Sequence, residues 1–329
     1  MKKMNLFWGG VMVLFAFAAC STGDWYDDSF MPTTSSSTTT SVTTQSNDDN
    51  SKTTSTADNV TTGVSSDGDV TSFTVALNKN AITESVNVNA DDDDYIENTT
   101  FGKTITITFS KTGAATVSGD DTGIVTINGN DVTATNNTEN VIKYVLTGET
   151  NDGYFKLYSS KKQAIVLNGV SITNPDGAAI NNQSKKRTFI VLNDGTKNYL
   201  TDGTKYSDAT DSEDMKACFF SEGQLIFSGS GYLEVDANCK AGIRSDDYVR
   251  TMPNTNIYVD ASSGNGIRGN DAVIVTGGVI NVNITGTADK GISTDGEVRI
   301  DGGRTTILTS GGYEYDSDDK DYSACSGIK

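Results

Sequence analysis

Gly242-Ile243-Arg244-Ser245-Asp246, Gly266-Ile267-Arg268-Gly269-Asn270 and Gly291-Ile292-Ser293-Thr294-Asp295 are copies of one short motif, starting 24 and 25 residues apart. A further copy opens at Gly327-Ile328-Lys329. Counting back 24 residues from Gly242 reaches Cys218-Phe219-Phe220-Ser221-Glu222, where the apolar residue and the acid keep their places. An earlier copy, Ala179-Ile180-Asn181-Asn182-Gln183, stands beyond an insertion. Between the motifs lie short alternating runs, such as Val273-Ile274-Val275, Gly277-Gly278 and Val279 to Ile284. Short alternating segments broken by Gly, Asn and Asp are strands joined by tight bends. Self-similarity at this period means stacked units, none able to bury its apolar face alone. Three short strands in each coil of about 24 residues predict an all-β solenoid, a right-handed parallel β-helix. An antiparallel sandwich would supply turns at intervals but no reason for a Gly-Ile-x-x-Asp column to recur.

Upstream, Ile105-Thr106-Ile107, Val125-Thr126-Ile127-Asn128-Gly129 and Ile165 to Ile172 read as the same strand type with looser spacing. They predict the early coils and an N-terminal cap over about 73–160, within a solenoid domain of 73–329. The chain reaches Lys329 in the opening of a fresh repeat. An uncapped last coil would be an open edge, so the reading predicts further coils beyond Lys329.

The start of the chain reads as an export signal: Lys2 and Lys3, an apolar run from Leu6 to Ala19, then Cys20 after Ala18-Ala19. Residues 1–19 are expected to be a lipoprotein signal peptide, with Cys20 lipidated at the bacterial outer membrane or cell surface. A plain secretory leader is the alternative, because Phe17 replaces the usual Leu three positions before the cysteine. Residues 20–72 are Ser/Thr-rich with almost nothing apolar, and predict a flexible tether. About 40 such residues span roughly 35 Å on average. Cys218, Cys239 and Cys325 are an odd set, expected to be small buried apolar residues rather than disulfide partners.

The 329-residue chain has a formal charge of −18, and −20 once Lys2 and Lys3 leave with the leader. That sign excludes a free-standing nucleic-acid binder. There is no His, which removes His-dependent nucleophile systems and His-ligated zinc.

In a parallel solenoid, equivalent residues of successive coils lie about 4.8 Å apart. Three residues past the anchoring apolar position the column reads Gln183, Glu222, Asp246, Asn270, Asp295, and one position further it reads Asp247, Asp271. Carboxylates so stacked repel and need compensation. Either Arg244 and Arg268 from the neighbouring column provide it and the acids are ordinary solvated turn residues, or a cation does. Asp246, Asp247, Asn270, Asp271 and Asp295 offer the oxygen ligands that Ca²⁺ takes. The insertion around Asp202, Tyr206 and Asp208, running on to Asp211, Glu213 and Asp214, is a second acidic group, to be weighed between a charged surface loop and a metal site. Trp8 and Trp25 lie in the leader and tether, so the domain has no Trp platform. Tyr199, Tyr206, Tyr232, Tyr248 and Tyr258 are the residues that could stack on sugar faces.

The run Ile165 to Asn174, followed by Gly177-Ala178-Ala179-Ile180, Leu200-Thr201-Asp202-Gly203, Tyr206-Ser207-Asp208 and the Gly-Ile-Arg repeats, resembles the bacterial carbohydrate-binding β-helix family related in fold to pectate lyases. The resemblance covers about residues 100–329 and keeps the order of the motifs. It departs at Cys218-Phe219-Phe220, where a smaller apolar run is usual. What it implies is a Ca²⁺-containing, often lipid-anchored β-helix that binds acidic plant-type polysaccharide such as polygalacturonate without cleaving it.

The expectation is therefore a surface-anchored monomer binding acidic polysaccharide through Ca²⁺, with Arg244, Arg268, Tyr248 and Tyr206 on the ligand. Asp246, Asp247, Asn270, Asp271, Asp295, Asp202 and Asp208 are the candidate metal ligands. The alternatives are a Ca²⁺-dependent polysaccharide lyase with Arg244 or Arg268 as base, and an adhesin-like structural protein with no sugar site.

Overall fold

The computed structural model describes residues 90–207, 213–318 and 320–329, together with 14–16, 60–64, 70–75 and 79–80. Cys20, Asp208 and most of the expected tether lie outside the described residues. The chain divides into two compact units, and the larger carries residues 81–329 together with the strand Leu14–Ala16, which falls within the expected signal peptide yet pairs in parallel with Arg304–Thr309.

That unit is a parallel β-solenoid of about seven turns. Each regular coil uses three strands. In one coil these are Ala241–Ser245 on the first face, Tyr248–Thr251 on the second and Asn256–Ala261 on the third. Each pairs in parallel with its equivalents before and after. The second and third faces join through the 12-residue strand Gln163–Asn174, whose first half pairs with Thr188–Leu192 and second half with Lys197–Asp202. The chain bends within it at Gly169, which sits at φ 69°, a conformation that glycine adopts without a Cβ penalty.

The register stacks like on like. Val132, Phe155, Ile180, Phe219, Ile243, Ile267, Ile292 and Ile328 form one continuous column on the first face. Val235, Val259, Val282 and Ile307 form the facing column on the third. Almost all are fully buried, so the apolar stripe of each coil is covered only by its neighbours.

The same packing explains the glycine of the motif. A Cβ at Gly242 would stand 2.3 Å from Val259 Cγ1, at Gly266 2.3 Å from Val282 Cγ1, and at Gly291 2.2 Å from Ile307 Cγ2. The first and third faces close on each other there, and no side chain fits between them.

Polar ladders finish the corners. Asn182 donates to Thr188 Oγ1 and Ser221 Oγ, both at 2.9 Å, and Asn198 Oδ1 accepts from the amides of Gly169 and Val170. The Asn182, Thr188, Ser221 and Asn198 side chains are buried, and each bond spares a desolvated polar atom.

The N-terminal end differs from the expectation in three places: Val60–Val64, inside the expected tether, pairs antiparallel with Val70–Val75, Thr116–Ser118 turns back antiparallel on Lys103–Phe109, and Val125–Asn128 leaves the coil pattern. Lys103–Phe109 does run parallel to Ile142–Thr150 as an early strand. Val125–Asn128 is not a coil strand; it turns back antiparallel on Asp131–Asn136 through Gly129 at φ 64°. Asn128 pairs with Asp131, so Gly129-Asn130 is the two-residue loop, and this hairpin signal wins over the stacking pattern. Two 3-10 turns, Asp92–Asp94 and Ile96–Asn98, lie across the outside of the second face. Tyr95, Ile96 and Phe101 cover Ala164, Phe189, Ile226 and Met252 there.

The glycine column predicts the cost of a single methyl. Gly266→Ala should lower stability by about 1–3 kcal/mol through overpacking. Gly113→Ala, whose Cβ would meet only Ser110 Oγ at 3.8 Å, should change it by less than about 0.5 kcal/mol. Urea unfolding of both variants checks this, and equal midpoints would contradict the packing described.

Candidate functional site

The corner that follows each first-face strand carries the acidic column. Register places Gln183, Glu222, Asp246, Asn270 and Asp295 in line, with backbone amides of Asp246, Asn270 and Asp295 bonded into the preceding coil. Asp247 and Asp271 form the adjacent column, the amide of Asp271 donating to Asp247 O at 3.0 Å.

Arginines from the strand itself compensate much of this charge. Arg244 stacks on Arg268 in the next coil. Arg244 Nε lies 3.4 Å from Asp246 Oδ1 and its Nη2 donates to Asn270 Oδ1 at 3.3 Å. Arg268 donates to Ser293 Oγ at 2.9 Å and pairs with Asp295 at 2.6 Å. Each guanidinium therefore reaches one coil onward or stays level, tying the column along the axis.

The insertion between Asp202 and Ala217 adds the rest. Its last residues lie on the outside of the first face, where Glu213 pairs with Lys156 at 3.0 Å and accepts from the Tyr158 hydroxyl. One residue on, Asp214 comes to Glu222 and Asp246, and ligand oxygens of the three carboxylates lie within 4.8 Å of one another. Lys216 sits among them, its ammonium 2.5 Å from Asp214 and 2.6 Å from Asp246.

The electrostatics follow from this crowding. Burial, then the carboxylates of Asp246 and Asp214, push the Glu222 carboxyl above its ordinary range. Burial likewise raises Asp247, with the stacked Asp271 adding to it against the Tyr248 amide and the Gln224 side chain. Lys216 is raised: burial opposes its charge, but the bonds to Asp214 and Asp246 outweigh it.

The expected ligands thus divide among three places. Asp246, Asn270 and Asp295 share one column and Asp247 and Asp271 the next, as the repeat implied. Asp202 belongs to a different corner, before the first-face strand: it is 3% exposed, accepts the Tyr206 hydroxyl at 2.6 Å and the Asn238 amide at 2.5 Å, and burial raises it. Tyr206 is engaged there, with Lys240 Nζ 5.1 Å above its ring. Tyr248 is engaged as well, donating to Asp94 at 2.5 Å. Asp94 is buried and also pairs with Arg187 at 3.2 Å and Arg250 at 3.0 Å. This network locks the 3-10 turns onto the second face, so Tyr248 serves the fold. Cys218 is fully buried and burial pushes its thiol up, while Cys239 and Cys325 are free and half-buried.

Glu222 stood in the sequence column, but its union with Asp214 was hidden by the insertion. No periodicity aligns a residue that returns from a loop; only the odd spacing of 39 residues from Ile180 to Phe219 marks that something folds back there.

Residues 128–312 match the family of carbohydrate-binding domain-containing proteins. The chain belongs to this family. Within the carbohydrate-binding domain family, a protein of Acetivibrio thermocellus is 35% identical over 122 residues, which is 36% of this chain and 42% of that relative. The chain therefore spans less than half the length of that curated relative. Among solved structures, a polysaccharide lyase-like protein from C. thermocellum, described as a gadolinium derivative, is 30% identical with a TM-score of 0.54. The superposition covers 62% of this chain and 82% of that one.

The placement of Lys216 has a direct consequence. Lys216→Met should move Glu222 further up, because its ammonium favours the charged carboxylate, and leave Asp247 where it is. A ¹³C NMR pH titration of the carboxyls reads both, and an unmoved Glu222 would contradict the cluster.

Proposed function

We propose that this protein binds acidic polysaccharide of the polygalacturonate type at the corner carrying Asp214, Glu222 and Asp246, through Ca²⁺, without cleaving it. The observation that carries the reading is the donor set: three carboxylates within 4.8 Å of one another, all hard oxygen ligands of the kind Ca²⁺ takes. Burial, then the Asp246 and Asp214 carboxylates, hold Glu222 above its ordinary range against Lys185 and Lys216. Ca²⁺ would neutralise the cluster and offer remaining positions to uronate oxygens. Asp214, Glu222 and Asp246 would hold it, and Lys216, whose ammonium already occupies the cluster, would swing out.

A chain of charge −18 repels a polyuronate unless a cation stands between them. Binding is favoured over lyase chemistry because Arg244 and Arg268 are committed to Asp246, Asn270, Ser293 and Asp295. A base must be free to take a proton, and a paired guanidinium is not. Export on a lipid at Cys20 would hold the domain at the cell surface, where such polymers are met.

Electrophoresis through a polygalacturonate gel tests the reading. Retardation should appear with Ca²⁺ and vanish with EDTA, and Glu222→Gln with Asp246→Asn should weaken it at least about tenfold, or about 1.4 kcal/mol. Because Glu222 is raised, protons compete with the cation at a higher pH than for an ordinary glutamate. Binding should therefore fall as pH drops through that raised value, and Glu222→Gln should abolish this dependence. Incubation with polygalacturonate should give no absorbance from unsaturated product. Equal retardation with and without EDTA would contradict the metal bridge.

A further inference from the structure

The last coil contains an addition that the ladder does not need. The connection from third to first face takes five residues in the preceding coil, from Ile284 to Lys290, but runs from Thr309 to Ser326 here. The extra length forms a hairpin, Tyr313–Asp316 with Asp321–Ala324. It begins where the match to the carbohydrate-binding domain family ends, at residue 312.

Alternation along the hairpin separates its two surfaces. Glu314 and Ser323 are register partners on one side, and Ser323 Oγ lies 3.2 Å from Lys290 Nζ, on the solenoid. Lys290 also donates to Ala324 O at 2.6 Å, and the Cys325 amide bonds to Gly312 O at 3.1 Å. The base of the hairpin is thus fixed. Tyr313, Tyr315 and Tyr322 share the other side, 63%, 51% and 62% exposed. Tyr322 is the common neighbour, its ring centroid 5.3 Å from Tyr313 and 4.9 Å from Tyr315.

Rings held together in water on a mounted hairpin are a contact surface awaiting an occupant. Tyrosine gives rigid area at low entropic cost, an apolar face and a hydroxyl at its edge. Those are the complements of a pyranose ring, which has a C–H face and a rim of hydroxyls. We propose that Tyr313, Tyr315 and Tyr322 form a second polysaccharide-binding surface that takes uncharged pyranose rings by their faces, without metal, while the negative charge of the chain keeps a free polyuronate off it. It rests on the reading of the chain as a polysaccharide binder, but not on the calcium corner.

The probe is methyl-esterified polygalacturonate, which keeps the rings and lacks the carboxylates, in an affinity gel containing EDTA. The full chain should be retarded, and Tyr313→Ala/Tyr315→Ala/Tyr322→Ala should lose about tenfold or more of that affinity. The triple Phe variant, which keeps the rings, should retain most of it. Thermal unfolding of the solenoid should match the parent, because the hairpin lies outside the coil ladder. No retardation of the parent, or equal retardation of parent and triple Ala variant, would overturn the proposal. So would a triple Ala variant that changes only the oligomeric state, which would assign the surface to a second copy of the chain. Loss of Ca²⁺-dependent binding to unesterified polygalacturonate would instead sink the calcium corner and leave this surface standing.

Discussion

Parallel stacking at one-coil intervals is the constraint on which the molecule depends. A coil of this chain cannot bury its own apolar stripe, so Ile243 needs Phe219 before it and Ile267 after it. The requirement fixes register, and register fixes everything that points outward as well. Arg244 must lie over Arg268, and Asp246 beside Glu222 and Asn270, whether or not their charges agree. The fold therefore concentrates charge without regard to its cost, and the exterior consists of the means by which that cost is met.

Two such means are visible. Along the column, Arg244 reaches the Asn270 side-chain oxygen and Arg268 the Asp295 carboxylate of the next coil, so that a guanidinium stands against the acidic column. At the end of the insertion, an acid brought in from outside the ladder worsens the crowding, and Lys216 offsets it only in part. A fold optimised for stability alone would not send Asp214 to that corner. In the function proposed above, that surplus negative charge is a place for a cation that a polyanion can share.

Much of the fold was legible because the repeat is strict where it matters. Ile243, Ile267 and Ile292 declared the core column, and the glycine before each is explained by the Val259, Val282 and Ile307 side chains that close on it. The acids of the corner were legible for the same reason, as positions at a fixed offset from those isoleucines. Tyr206 and Tyr248 misled because composition shows a ring but not its hydroxyl's partner, and Asp202 and Asp94 already hold them. Val125–Asn128 misled because an apolar alternation reads alike in a coil and in a hairpin. Asp214 was visible as part of a second acidic group but not its meeting with Glu222, and the hairpin tyrosines were beyond reach of the pattern, since both sit on insertions, where stacking sets no offset.

The most direct measurement is a crystal structure of the protein grown with Ca²⁺, or with Tb³⁺ in its place, and phased to locate anomalous scattering. The account predicts a peak bounded by Asp214, Glu222 and Asp246, with the Lys216 ammonium displaced from them. A protein saturated with the ion that shows no peak there, and Lys216 still paired with Asp214 and Asp246, would contradict it.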